Sequence, residues 1–162
     1  MQPGMIQEAE MVSTELLRRY PFFAGLNDKQ LRELAMITEE LEIQEGETLF
    51  EGESGANFLY LLQDGSVNLH YVVIDERGME LPQDFMVGVI NPREVFGIST
   101  LIKPFEYTAS AIVNKSGSVL QIDGPKLRAL CEEDKDMYIL LLERIASTAL
   151  LRLRDTRMQL VV

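Results

Sequence analysis

Residues 45–71 read EGETLFEGESGANFLYLLQDGSVNLHY. Four glycines, Gly46, Gly52, Gly55 and Gly65, separate short apolar runs. Runs of that length, bounded by Gly, Asn, Asp and Ser, are strands joined by turns. Within them Asp64-Gly65 is a two-residue hairpin signal. The same rhythm continues outward. EELEIQ (39–44) lies upstream, while DERG (75–78) turns the chain before MELPQDF (79–85) and MVGVIN (86–91). TASAIVN (108–114) and SVLQID (118–123) follow, separated by KSG. About eight short strands with regular turns predict a mainly β chain, an antiparallel barrel or sandwich.

Helical periods flank this β region. Ile6, Ala9, Leu16 and Leu17 give an apolar stripe that ends before Pro21. Over Leu26–Ile37 a second helix has its entry written in: Asn27 as N-cap, Gln30 at the reciprocal capping-box position, and Leu26 stapling onto Leu31. After Asp123, Pro125 suits the start of a helix through KLRALCEE. From Asp134 onward there is no Gly or Pro, and Ile139, Leu142, Ala146, Ala149, Leu153, Thr156 and Leu160 recur at alternating spacings of three and four. That is a heptad seam. Leu141 and Ile145 make a second apolar edge beside it. A helix apolar on two sides needs two surfaces. One is its own domain; the other is the same helix of a second chain, or else a broader part of the barrel. The expected division is an N-terminal segment at 1–15, a β domain with entry helices and a short helix at 16–133, and a long helix at 134–162.

Composition narrows the function classes. A chain of 162 residues, 46% hydrophobic and 25% charged, is one ordinary globular domain. No apolar run approaches the ~20 residues of a membrane span. Glu8, Glu10 and Glu15 fall where a signal peptide would need an apolar core. One cysteine, Cys131, forms no bridge within the chain and fits a reducing cytoplasm. Fifteen bases against 26 acids leave a net charge of −11, which repels nucleic-acid backbones. The acidity is concentrated: Asn27–Asp64 holds ten acids and two bases, whereas 134–162 holds four acids and five bases. The acidic stretch reads first as a solvated face and second as a docking surface. His70 is the single histidine, so no zinc motif is available. No Ser, His and Asp spacing supports a triad, and the chain is expected not to be an enzyme.

The order helix, β-barrel, short helix, long helix resembles the cyclic nucleotide-binding domain of the catabolite activator protein family. PFFAGLNDKQLRELA is similar to that family's entry helices, and residues 45–71 to its first roll. VFGISTLIKPFEYTASAIV (95–113) has the shape of its phosphate-binding cassette. The resemblance spans Leu16 to Leu160. It implies an eight-stranded β-roll of jelly-roll type, with N-terminal helices and a long C-terminal dimerisation helix. It also implies the cassette's chemistry: a Gly-led turn whose N–H groups face a cyclic phosphate, a Glu for the ribose hydroxyl, and an Arg for the phosphate.

Here Gly97 and the turn ISTLI are present, but the Glu position holds Ile98 and the Arg position holds Tyr107. A register one shorter gives Glu106, which would repel phosphate. Ser99, Thr100 and Thr108 keep hydroxyls nearby, and Lys103 and Arg93 are the bases in the vicinity. A charge-assisted hydrogen bond contributes about 1.5–3 kcal/mol. Losing two or three therefore lowers affinity by a factor of roughly hundreds to tens of thousands. Cyclic AMP in the usual pose is not expected to bind tightly. Thr156, with Arg157 beside it, stands where the family's long helix offers a hydroxyl to the nucleobase; it reads equally as a polar seam residue. The transcription factors of the family continue into a helix-turn-helix domain, and here the chain stops at Val162.

The resulting expectation is a cytoplasmic regulatory sensor for a small ligand, a cyclic nucleotide or another small molecule. It would signal through its C-terminal helix to a separate partner protein, as a homodimer without nucleic-acid or membrane contact. The alternative is a ligand-free homodimeric protein-interaction module.

Overall fold

The computed structural model describes residues 12–161. The stripe at Ile6 and Ala9 lies outside them; α1 occupies Thr14–Arg18, N-capped by Ser13, whose side chain accepts from Leu16 N–H. A 3₁₀ turn at Pro21–Phe23 leads to α2, Asp28–Ala35. The expected capping box is formed in both directions: Asn27 Oδ1 accepts from Gln30 N–H at 2.8 Å and Gln30 Oε1 from Asn27 N–H at 2.9 Å.

Six strands follow: β1 Thr38–Ile43, β2 Thr48–Phe50, β3 Phe58–Ile74, β4 Glu80–Ile90, β5 Val95–Phe96 and β6 Ser110–Asp123. All pair antiparallel, in the order β1-β6-β3-β4, with β2 on β6 and β5 on β3. Six rather than eight strands result because Asp64-Gly65 and Lys115–Gly117 do not reverse the chain. They lie opposite each other in the β3–β6 ladder, where Asp64 pairs with Ser118 and Ser66 with Lys115. The register shifts on both sides of Asp64, so both strands bulge together and bend as a unit. Gly65 has φ +96°, and a Cβ on Gly117 would lie 2.0 Å from the Asp64 carbonyl oxygen. The backbones touch there, which only glycine permits. MELPQDF and MVGVIN likewise fuse into β4. The DERG turn forms as read, with Asp75 Oδ1 accepting from Arg77 and Met79 N–H.

The FLYLL run is apolar at every position because β3 is covered on both faces. Leu59 and Leu61 face a layer of helices with Leu17, Leu34, Leu127 and Met137. Tyr60 and Leu62 face the roll interior with Ile43, Val67, Phe96 and Val119. After β6, Asp123 caps α3 (Gly124–Glu133) and Asp134 caps α4 (Lys135–Gln159) through Met137 N–H at 3.1 Å. Leu141 and Ile145, the second apolar edge of the long helix, are buried against this domain. Of the seam, Ile139, Ala146, Ala149 and Leu153 are exposed, whereas Leu142 is half-buried on the helix-side core and Thr156 is half-buried.

Candidate ligand-binding cassette

Gly97 ends β5 in the left-handed region, φ +75°, and opens a four-residue 3₁₀ turn, Ile98–Leu101. A Cβ here would stand 3.0 Å from the Phe58 carbonyl oxygen and 3.3 Å from the Tyr107 ring. The position therefore requires glycine twice, for its φ and for its room. Ile98, half-buried, packs on the helix-side core beside Leu101. Ser99 is half-buried, and its carbonyl oxygen accepts from Ile102 N–H at 3.0 Å. Thr100 is fully buried. Its Oγ1 lies 2.6 Å from the Gly97 and 2.8 Å from the Phe58 carbonyl oxygen, one hydroxyl proton shared between two acceptors.

Tyr107 is turned inward, 4% exposed. Its hydroxyl donates to the Phe58 carbonyl oxygen at 2.6 Å and accepts from Phe58 N–H at 3.0 Å. Its ring stacks on Phe50, with centroids 3.7 Å apart and planes 13° from parallel. Phe50 continues the stack to Tyr60 at 5.8 Å, and Tyr60 to Phe96 at 5.1 Å. Burial pushes the Tyr107 phenol up to about 12, against the Phe58 hydrogen bond, which pulls it down. The phenol stays a neutral donor and acceptor across physiological pH.

The remaining candidates are not gathered here. Thr108 and Glu106 are exposed on the strand's approach, and Lys103 and Arg93 are exposed as well. Thr156 is half-buried on α4, and its Oγ1 donates to Arg152 of its own helix at 2.9 Å. Of the seven candidate residues, the fold brings together Gly97, Ile98, Ser99, Thr100 and Tyr107. One contributor gave no sequence signal. Arg128 of α3 donates through Nη1 to the Thr100 carbonyl oxygen at 2.7 Å and the Ala56 carbonyl oxygen at 3.3 Å. Its guanidinium also covers the Phe105 ring at 4.3 Å. It fastens the cassette from outside, a contact 28 residues away along the chain.

The Thr100 and Tyr107 hydroxyls serve backbone groups, and among the described residues no cluster of three or more His, Cys, Asp and Glu side chains could hold a metal ion. Cys131 is buried, its thiol pushed up to about 11 by desolvation. Among the described residues no helix is long and apolar enough to cross a membrane.

The sequence profile of the cyclic nucleotide-binding domain matches residues 40–134. A crystal structure named for cyclic nucleotide binding, from Geobacter metallireducens GS-15, is 36% identical over 88% of this chain and 99% of its own, with a TM-score of 0.76. The N-terminal domain of a transcriptional regulator from Streptomyces coelicolor A3(2) is 30% identical over 87% of this chain and 94% of its own, with a TM-score of 0.60. The Thermus thermophilus catabolite activator protein shares the fold at 23% identity, covering 86% of this chain and 61% of its own, with a TM-score of 0.62. Among curated proteins none matches.

Proposed function

The chain belongs to the cyclic nucleotide-binding domain family, and from that premise we propose that it is a regulatory sensor that does not bind cyclic AMP tightly. It acts as a cytoplasmic homodimer, and its long helix (134–162) passes the state of the β domain (16–133) to a separate partner protein. It performs no catalysis and takes no nucleic acid.

The observation that carries the reading is Tyr107. In the family's pattern that position holds an arginine awaiting a phosphate. Here a neutral phenol is buried in an aromatic stack and bonded to Phe58. Ile98, at the acidic position, is packed on core leucines. With no acceptor for the ribose and no cation for the phosphate, Gly97 and its turn hold only the weakest part of the anion site. The exposed seam of α4 supports a second copy as the helix's partner. Calorimetry with cyclic AMP and cyclic GMP tests the proposal, together with mass spectrometry of small molecules released on denaturation. No nucleotide heat up to millimolar concentration and a co-purified small molecule are the expected results. A Kd near micromolar, about −8 kcal/mol, would overturn it.

A second reading, a ligand-free interaction module, is favoured by the same stack, since aromatic rings occupy the roll beside Gly97. It predicts that nothing co-purifies and that no small molecule raises the unfolding temperature.

A further inference from the structure

On the helix side of β5, away from the aromatic stack, a groove of about 420 Å³ runs between the end of β4 and α4. That is the size of a small-molecule site. Phe22, Val87 and Leu151 supply apolar wall, and Arg93, Arg144 and Arg152 come to it from a loop and two turns of helix. In a chain with 26 acids and 15 bases, three converging guanidiniums are against the trend.

The arginines are held but not neutralised. Arg144 donates through Nη1 to the Pro21 and Phe22 carbonyl oxygens, at 2.8 and 3.2 Å. Arg152 donates through Nη2 to the Val95 carbonyl oxygen. Each guanidinium has five N–H groups in a planar fork, so both keep donors to spare. None of the three makes an ion pair within 4.0 Å to a described carboxylate. Two acids line the groove as well: Glu94, whose Oε1 accepts from Asn91 N–H at 2.6 Å, and Asp155, 4.0 Å from Arg154. Burial pulls Arg152 below its ordinary value, with Glu94 as the opposing influence. Arg93 is held at φ +77°, a conformation non-glycine residues seldom adopt, by a 2.7 Å bond from its N–H to Leu62.

We propose that this groove is a ligand site for a small amphipathic carboxylate, its head on Arg93, Arg144 and Arg152 and its apolar body on Phe22, Val87 and Leu151. On α4, at about 100° per residue, Arg144, Thr148, Leu151 and Asp155 lie roughly opposite Ala146, Ala149 and Leu153 of the seam. A dimer through the seam leaves the groove open. The site does not depend on the cassette, so it stands or falls separately from the reading above.

Octanoate is the probe, with octanol as the same chain without charge, acetate as the charge without the chain, and cyclic AMP as the cassette probe. Calorimetry and amide chemical-shift mapping on the full chain read the result. Octanoate is expected to bind at least about tenfold more tightly than octanol or acetate. It should shift amides at 87–95 and 147–155. Arg93→Gly, which relieves the left-handed backbone, combined with Arg144→Gln, should weaken octanoate by about tenfold or more while the far-ultraviolet spectrum is unchanged. Equal binding of octanol, equal binding of acetate, shifts confined to the roll interior, no binding at millimolar octanoate, or an unaffected double variant would each overturn the site. Tight cyclic AMP binding with shifts at 97–108 would overturn the proposed function and leave this site intact.

Discussion

Removing one oxygen atom, by Tyr107→Phe, tests how the cassette is held. The substitution keeps the ring on Phe50 and deletes the hydroxyl that both donates to and accepts from Phe58. The two Phe58 groups fare differently. Its carbonyl oxygen still receives Thr100 Oγ1 at 2.8 Å. Its N–H loses the acceptor it has at 3.0 Å in a part-buried position. An orphaned donor of this sort costs about 1–3 kcal/mol. Taking about 2 kcal/mol, a chain of this size should melt roughly 4–8 °C lower. Thr100→Val removes the other hydroxyl; Tyr107 still serves Phe58, so that change alone should cost about 1 kcal/mol or less. In the double variant the Phe58 carbonyl oxygen loses both hydroxyls, and the two losses should exceed their sum by about 1 kcal/mol. Urea unfolding followed by far-ultraviolet circular dichroism is the assay, because the chain has no tryptophan and one variant deletes a tyrosine. A Tyr107→Phe effect below about 0.5 kcal/mol at unchanged m-value, or strict additivity of the pair, would refute the reasoning.

Leu153→Glu should convert a dimer into a folded monomer in sedimentation velocity, since Leu153 is 45% exposed within one chain; a wild type already monomeric at about tens of micromolar would remove the seam's role. Tyr20 and Tyr107 are pushed up to about 12 and Cys131 to about 11 by burial, so the folded chain keeps protons that the unfolded chain releases. Their stabilisation is full below their ordinary values and is lost as pH rises toward 11–12; a urea midpoint flat between about pH 9 and 11 would contradict this. Gly117→Ala, whose Cβ would meet the Asp64 carbonyl oxygen at 2.0 Å, should cost about 3 kcal/mol or more. Gly46→Ala, with open space but φ +88°, should cost only about 1–2 kcal/mol, and the opposite order in denaturant titration would count against the corner.

What could be read from the chain was what neighbouring residues decide. The Asn27–Gln30 cap and the alternation of Leu59, Tyr60, Leu61 and Leu62 between two cores are local or period-two signals, and both formed. Asp64-Gly65 reads as a hairpin but forms a bulge, because a turn and a glycine bulge want the same residue types. The choice between them belongs to Lys115–Gly117, some fifty residues on, which bulges in register with it. The cassette divides in the same way. That Ile98 and Tyr107 lack charge is written in the sequence. That Tyr107 holds Phe58 and stacks on Phe50 depends on residues 49 and more positions away. Arg128 and Arg152 gave no signal for the same reason.

The cassette's departures support one another physically. An arginine at 107 without a bound anion would be a buried cation lacking a partner, which costs far more than a buried phenol. Phe50, 3.7 Å from the Tyr107 ring, and Thr100, fully buried on the same carbonyl oxygen, suit the phenol and leave it nothing to bind but backbone. A cassette closed by its own side chains has the same free energy for every position of α4 that leaves those contacts intact. A ligand moves a helix only by preferring one position over another. Besides the buried Met137, Leu141 and Ile145, the groups that hold α4 in place bridge it to the roll and the entry turn: Arg152 on Val95, and Arg144 on Pro21 and Phe22. An anion seated among those guanidiniums gains only while the helix is docked. If the groove takes an anion as proposed, coupling between β domain and helix would run through the β4–α4 groove rather than behind Gly97.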